Sequence, residues 1–309
     1  MRSRGFQPEG ESQAQFVPLR QALLNGAAFL NRAGVETARL DAEVLLGWCL
    51  GGGRERLYLN YESPLGGKTG ELYEEALARR ARREPLAYIV GRREFWSLNF
   101  IVSHNVLVPR PETELLVELA IQMAQQLSKK DSIKIIDLGT GSGVIAVSLA
   151  KEIGHSEVWA TDLSPEALGV ARANAQHNGV EDKIHFLQGD LFDPVKNRSS
   201  FFDMVVSNPP YVRRGEIEDL PPEARDWEPR IALDGGVDGL DLYRRIIQEA
   251  PIYLGGGGFI GLEIGADMPQ PISKLFESRD CYQRMSLHQD LSGRDRAVTA
   301  RRVLSRLNH

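Results

Sequence analysis

From residue 133 onward, the hydrophobic pattern of this 309-residue chain alternates between strand-like and helix-like runs, and no other feature restricts the fold as much. Residues 133–137, 158–161, 184–187, 204–207, 259–263, 285–288 and 297–301 read as strands. Residues 144–153, 165–177, 240–254 and 269–278 read as helices between them. Such a series buries its apolar faces as a mostly parallel sheet covered by helices on both sides. The expectation is a doubly wound α/β sheet of seven strands, with ligands held at the carboxyl edge of the strands.

The chain upstream has a different character. Residues 17–83 show helical spacing and no strand pattern: Leu19, Leu23, Leu24 and Leu30, then Leu40, Val44, Leu45 and Trp48, then Leu72, Ala76 and Leu77. They predict a small helical domain. Residues 84–111 predict a β-hairpin linker, with Leu86–Val90 and Phe95–Val102 as its strands and Gly91-Arg92-Arg93 between them. A helix opens after Val108-Pro109-Arg110-Pro111-Glu112-Thr113-Glu114, and residues 112–309 make up the main domain. Residues 1–16 are polar and read as a frayed tail.

Composition removes several classes of function. Apolar residues are 42% and charged residues 26%, which excludes wholesale disorder. A net charge of −5 argues against a protein that lives on the DNA backbone. Two distant cysteines, Cys49 and Cys281, form neither a zinc pair nor a disulfide framework and suit a reducing compartment. The six histidines show no i,i+4 spacing, so no metal site is expected. No apolar run approaches the ~18 residues of a membrane span, and no signal-peptide core opens the chain. The expected location is cytoplasmic.

The first strand of the α/β region runs into Asp137-Leu138-Gly139-Thr140-Gly141-Ser142-Gly143, and a helix follows. Glycines there let a ligand approach the backbone, and the helix N-terminus supplies N–H donors. The dinucleotide fingerprint would require a small residue at 144, which is Val144. The acid Asp137 beside the turn disfavours phosphates and favours a cation. Asp162 ends the second strand, where a carboxylate can accept both hydroxyls of a ribose. Asp190 ends the third and can accept from an adenine amine, with Leu191 covering the ring. Glycine and aspartate also serve as plain turn residues, but three acids on successive strand tips point to a ligand. A nucleoside carrying a sulfonium and an amino-acid tail fits: S-adenosylmethionine, with Asn208 completing its surroundings.

The fourth strand ends in Asn208-Pro209-Pro210-Tyr211. Two prolines stiffen the turn, and the N–H that would follow Pro209 is missing. The Asn208 side-chain carbonyl and the Pro209 main-chain carbonyl then make a receptor for a planar, conjugated NH2 group, with the Tyr211 ring packed on its plane. Acceptors on both N–H bonds aim the nitrogen lone pair and stabilise the positive charge that grows on it during attack. Asn208 and Pro209 are therefore the candidate catalytic residues, and Asn208, Pro209, Pro210 and Tyr211 the candidate substrate site. Neither a metal nor a strong base is required.

These segments, with Pro85-Leu86-Ala87-Tyr88-Ile89, Gly91-Arg92-Arg93-Glu94-Phe95-Trp96, Glu228-Pro229, Ala232-Leu233, Gly235-Gly236 and Gly293-Arg294-Asp295-Arg296, resemble the protein-(glutamine-N5) methyltransferases of the HemK/PrmC family. The resemblance runs from about residue 20 to the end. It implies a class I, Rossmann-like methyltransferase fold and methylation of the Gly-Gly-Gln glutamine of bacterial class 1 peptide chain release factors. It matches Gly139–Gly143 and Asp162 to the cofactor site and places Leu191 where the family often has an aromatic residue. It matches Arg110, Glu112 and Thr113 to a segment that closes over the pocket. Three alternatives stay open at this point: a ribosomal-protein glutamine methyltransferase, an adenine-N6 DNA methyltransferase using the same Asn-Pro-Pro-Tyr chemistry, and an inactive binding module. The arginines between Arg79 and Arg93 read as a solvated helix end, with contact to an acidic partner as the rival. Gly255–Gly258 reads as a helix stop ahead of a strand.

Overall fold

A computed structural model describes residues 17–127 and 130–303, which form two compact units divided between Val90 and Gly91. The expected tail, residues 1–16, lies outside the described residues.

The first unit is helical. It contains α1 (Leu19–Arg32), α2 (Ala38–Cys49), α3 (Arg54–Leu59), α4 (Gly67–Ala81) and α5 (Leu86–Val90), with a two-residue strand pair, β1 (Val17–Pro18) and β2 (Pro64–Leu65). The sequence pattern gave no sign of this strand pair or of α3. Of the expected residues, Leu19, Leu23, Leu30, Leu45, Ala76 and Leu77 enter the core, joined by Leu46, Leu57 and Tyr73, whereas Leu24, Leu40 and Leu72 lie on the exposed faces of their helices. Burial of each core leucine contributes about 1.5–3 kcal/mol. Three arginines of the 79–93 run hold this unit together. Arg79 pairs with Glu84 through its Nε at 2.8 Å, the buried Arg80 pairs with the buried Asp41 at 2.7 Å, and Arg83 donates to the Gly34 carbonyl at 2.7 Å.

The hairpin differs from expectation. Leu86–Val90 is a helix, because Pro85 accepts the first helical bonds from Tyr88 and Ile89 and Gly91 (φ 77°) ends it. A five-residue apolar run carries no period of its own, so both readings fitted it. The strands are β3 (Arg92–Phe95) and β4 (Leu98–Ile101), and the turn between them is Trp96-Ser97, both left-handed. A two-residue hairpin with this twist normally calls for glycine or asparagine. Here Trp96 is fixed from outside, its N–H donating to Glu114 at 2.7 Å and its indole to Glu152 at 3.1 Å.

The second unit is built on a seven-stranded sheet. After α6 (Thr113–Gln126), the chain forms β5 (Ile133–Leu138), α7 (Val144–Glu152), β6 (Ser156–Asp162), α8 (Pro165–His177), β7 (Ile184–Gln188), β8 (Phe202–Ser207), the short α9 (Pro222–Arg225), α10 (Asp241–Tyr253), β9 (Leu254–Glu263), α11 (Pro269–Glu277), β10 (Tyr282–Gln289) and β11 (Asp295–Arg302). The strand order is β10-β11-β9-β8-β5-β6-β7, and only β11 runs against the other six. The central β5 alternates cleanly. Ile133 and Ile135 enter the core under α6, α7 and α8, while Ile136 and Leu138 enter the opposite core under α10 and α11. Gly255–Gly258 is no helix stop. It forms the first part of β9, where the ladder with β8 shifts register and Gly257 takes φ 78°. Glycine tolerates that irregularity without strain.

This order places a topological switch point between β5 and β8. From β5 the chain proceeds to β6 and β7 on one side, then returns to add β8 on the other. The crevice at the carboxyl ends of these strands is where an open α/β sheet binds its ligands.

Candidate active site

A cavity opens at that crevice. Its walls come from the turns after β5, β6, β7 and β8, from residues 105–113 ahead of α6, and from Pro229, Ile231, Ala232 and Leu242. Of the residues singled out in the sequence, Gly139, Thr140, Gly141, Ser142, Asp162, Asp190, Leu191, Asn208 and Pro210 line it.

The glycine turn is shaped for a ligand. Gly139 and Gly141 adopt φ 68° and 55°, and the space where a Cβ would stand is open at both. Gly143 (φ 82°) starts α7 instead and lies against Ala171, where a Cβ would come within 3.0 Å. Asp162, at the tip of β6, accepts the N–H of Gly141 at 2.8 Å and of Ser164 at 2.9 Å, one on each oxygen. An ionised carboxylate offers about four acceptor sites, so capacity remains for two hydroxyls. Burial raises its pKa, and these backbone donors oppose the rise. Ser164 also caps α8, accepting from the Ala167 N–H at 3.0 Å with Pro165 in the first turn. Leu191 takes φ 46° and forms part of the wall. Asp190 also lines the cavity, with one carboxylate oxygen engaged by Arg245 at 2.9 Å.

Other singled-out residues lie behind this surface. Asp137 is fully buried and is not part of the lining. It accepts from the Thr140 hydroxyl at 2.6 Å, and its Oδ1 has no hydrogen-bond partner. Burial pushes its pKa up to about 7. Pro209 and Tyr211 also lie outside the lining. Burial raises the Tyr211 phenol to about 12, so it stays protonated and does not act as a base.

The Asn208–Tyr211 turn is clamped by glycines. A Cβ on Gly235 would come within 2.8 Å of the Pro210 carbonyl oxygen and the Tyr211 Cα, and one on Gly239 within 2.5 Å of the Tyr211 carbonyl oxygen. The Asn208 amide donates to the Thr113 hydroxyl at 3.1 Å, and that hydroxyl donates to Glu263 at 2.6 Å. Near the rim, Arg110 donates to both oxygens of the buried Glu228 at 2.8 Å.

Two contributors escaped the sequence reading. Asn174, fully buried in α8, exchanges hydrogen bonds with the Ile101 backbone (2.6 and 2.9 Å) and donates to the Ser142 carbonyl at 2.8 Å. It ties the hairpin to the glycine turn. Glu263 ends a strand and reads there as an ordinary polar terminus. No local signal marks either residue, because their partners are 32 to 150 positions away.

The residues fit S-adenosylmethionine. Gly139 and Gly141 leave room for close backbone approach, Asp162 has acceptor capacity left for a pair of hydroxyls, and Leu191 supplies an apolar wall.

Residues 21–91 match the PrmC N-terminal domain family, and residues 118–220 match the methyltransferase small domain. The release factor glutamine methyltransferase of Geobacter sulfurreducens is 41% identical, over 92% of this chain and 96% of its own. That of Moorella thermoacetica is 42% identical, over 93% and 99%. Among solved structures, the hMettl16 catalytic domain shares the fold at 16% identity, with a TM-score of 0.55 over 75% of this chain and 82% of its own. With its α/β sheet, its helical first unit and its relatedness along nearly the whole length, this chain belongs to the release factor glutamine methyltransferase family.

Proposed function

We propose that the protein transfers the methyl group of S-adenosylmethionine to the side-chain amide nitrogen of the Gly-Gly-Gln glutamine in bacterial class 1 release factors. The observation that carries this reading is Asn208. It stands in the cavity beside the glycine turn, with its NH2 end bonded to Thr113, so that its carbonyl end is the one left for a substrate N–H. Two relatives over 40% identical carry the name of this activity.

When bound, S-adenosylmethionine supplies an electrophilic methyl on a sulfonium. Asp162 would accept from the ribose hydroxyls, while Gly139, Thr140, Gly141, Ser142, Asp190 and Leu191 form the surrounding wall. Asn208 Oδ1 would accept one N–H of the glutamine amide and the main-chain carbonyl of Pro209, a residue outside the cavity lining, the other, so that the nitrogen lone pair is aimed at the methyl. The same acceptors stabilise the charge that grows on nitrogen, the larger part of the rate gain in such a site. Pro210 and Tyr211 keep the turn rigid. Asp137 supports the glycine turn from below through Thr140 and does not touch the ligand.

Among the described residues no helix is long and apolar enough to cross a membrane. Action in the cytoplasm accords with a release factor as partner. The acidic balance of −5 supports a protein partner over DNA.

The test is transfer of labelled methyl to a purified release factor, beside a variant with the Gly-Gly-Gln glutamine replaced. Label on the first alone supports the reading. Label on ribosomal protein or on DNA instead would overturn the choice of substrate.

A further inference from the structure

An amide side chain has two ends of nearly equal shape and opposite hydrogen-bonding character. Asn208 serves as an acceptor for a substrate N–H only with its oxygen toward the cavity. Turned over, it would present a donor to a donor. Something must therefore fix its polarity, and the turn itself does not.

We infer that Thr113 and Glu263 are positioning residues for methyl transfer, a buried dyad that holds the Asn208 carbonyl toward the substrate amide. This rests on the glutamine methyltransferase reading above. Both residues are 2% exposed. The Thr113 hydroxyl stands 2.6 Å from Glu263 Oε2 and 3.1 Å from Asn208 Nδ2. It has one proton. An ionised carboxylate has none and only accepts. The Thr113 proton therefore goes to Glu263, and only lone pairs remain to face Asn208. Only the NH2 end of Asn208 satisfies them. A protonated Glu263 could donate to Thr113, release the Thr113 proton toward Asn208, and stabilise the reversed amide.

The ionisation of Glu263 is set by every element around it. Burial pushes its pKa up to about 7, and Glu112 ahead of α6 adds to the rise. The Thr113 and Asn208 donors and Arg296 on β11 oppose it. The Tyr211 and Tyr243 phenols also lie close by, and burial keeps both protonated. Tyr243, on α10, donates to the main-chain carbonyl of Glu263 at 2.6 Å and fixes the strand end. The dyad thus brings together the start of α6, the end of β8 and the end of β9 at one hydroxyl.

The experiment measures kcat, KM for a release factor and cofactor affinity for wild type, Thr113→Val, Thr113→Ser and Glu263→Gln, between pH 5.5 and 8.5. Thr113→Val keeps the shape and removes the hydroxyl. It is expected to lower kcat roughly tenfold or more, on the scale of a mispositioned or lost polar contact. Cofactor affinity should stay within about twofold, far below the tenfold that 1.4 kcal/mol would bring. Thr113→Ser should restore most of kcat. Wild-type kcat should rise with pH through an apparent value near 7, and Glu263→Gln should lose that limb. A Thr113→Val enzyme with wild-type kcat would overturn the dyad, and so would a flat wild-type profile, which requires no variant to fold. A wild type that binds S-adenosylmethionine yet transfers no methyl to a release factor would overturn the substrate reading and the dyad with it.

Discussion

Gly235→Ala adds a single methyl group behind the proposed substrate turn, and its effect can be worked from the surrounding distances. The new Cβ would stand 2.8 Å from the Pro210 carbonyl oxygen, 2.8 Å from the Tyr211 Cα and 2.9 Å from the Gly239 carbonyl oxygen. All three are backbone atoms, so no side chain can rotate away. An ordinary carbon–carbon contact lies at about 3.5 Å or more, so the turn and the loop must separate by ~0.7 Å. Overpacking of this kind costs about 1–3 kcal/mol of stability. The functional cost should be larger in proportion, since a misplacement of about 1 Å can lower turnover by ~100-fold. The expected result is a fall in kcat of about 10- to 100-fold with cofactor affinity nearly unchanged, because Gly139, Gly141 and Asp162 lie on other turns. Labelled-methyl transfer to a release factor reads the first quantity, and calorimetry with S-adenosylmethionine the second. Gly169→Ala is the control. Gly169 lies within α8 with open space where its Cβ would go, so alanine there should stabilise by roughly 0.5–1 kcal/mol and leave kcat alone. If Gly235→Ala kept full kcat, or lost cofactor binding instead, the clamp on Asn208–Tyr211 would be refuted.

Asn208→Ala should lower kcat by about 100- to 1,000-fold, the range for loss of one preorganised partner of developing charge, while binding of S-adenosylmethionine changes little. A large loss of affinity with turnover intact at saturation would exclude the amide-receptor role. Asp162→Ala removes the proposed ribose acceptor and leaves the Gly141 and Ser164 N–H groups without their partner. Cofactor affinity should fall by 1–3 kcal/mol, about 5- to 150-fold, and unchanged affinity by calorimetry would contradict the assignment. Asp137 should make stability fall as pH rises. Its carboxyl titrates at about 7 in the fold against an ordinary value of 3.8. Below about pH 4 both states hold the proton, so its favourable contribution is fully present. Between about 4 and 7 the unfolded chain ionises freely while the buried group resists, and the contribution is lost by the time the pH passes the folded value. Urea melts of Asp137→Asn and wild type at pH 5 and pH 8 should show the variant gaining on wild type at the higher pH. Equal differences at the two pH values would rule out this role for Asp137.

Much of the architecture could be read along the chain because it rests on local period and local turns. The helix Pro165–His177 follows from Ser164 and Pro165 at its start and from its apolar spacing. The central parallel strands β5 and β8 are short, mostly apolar runs, because burial on both faces leaves little place for polar alternation, whereas the edge strand β7 alternates. The same logic failed where a run was too short to carry a period. Leu86–Val90 read as a strand and folds as a helix once Pro85 accepts its first bonds. Trp96-Ser97 carries no glycine signal, and Glu114 and Glu152, reaching in from other elements, hold that turn while Trp96 packs against the core. The glycine turn, Asp162 and Asn208 were visible because strand ends bring them to one edge of any sheet wound this way. The tertiary structure alone determined which of them face the cavity. It withdrew Asp137 into the interior, set Arg245 against Asp190, and used Asn174 to join the hairpin to the glycine turn. It also placed Thr113 and Glu263, 150 positions apart, on either side of one proton. Spacing in the chain gives the period of an element and the residues at its tip, but the partner of a buried polar group is fixed only when the sheet closes and excludes water.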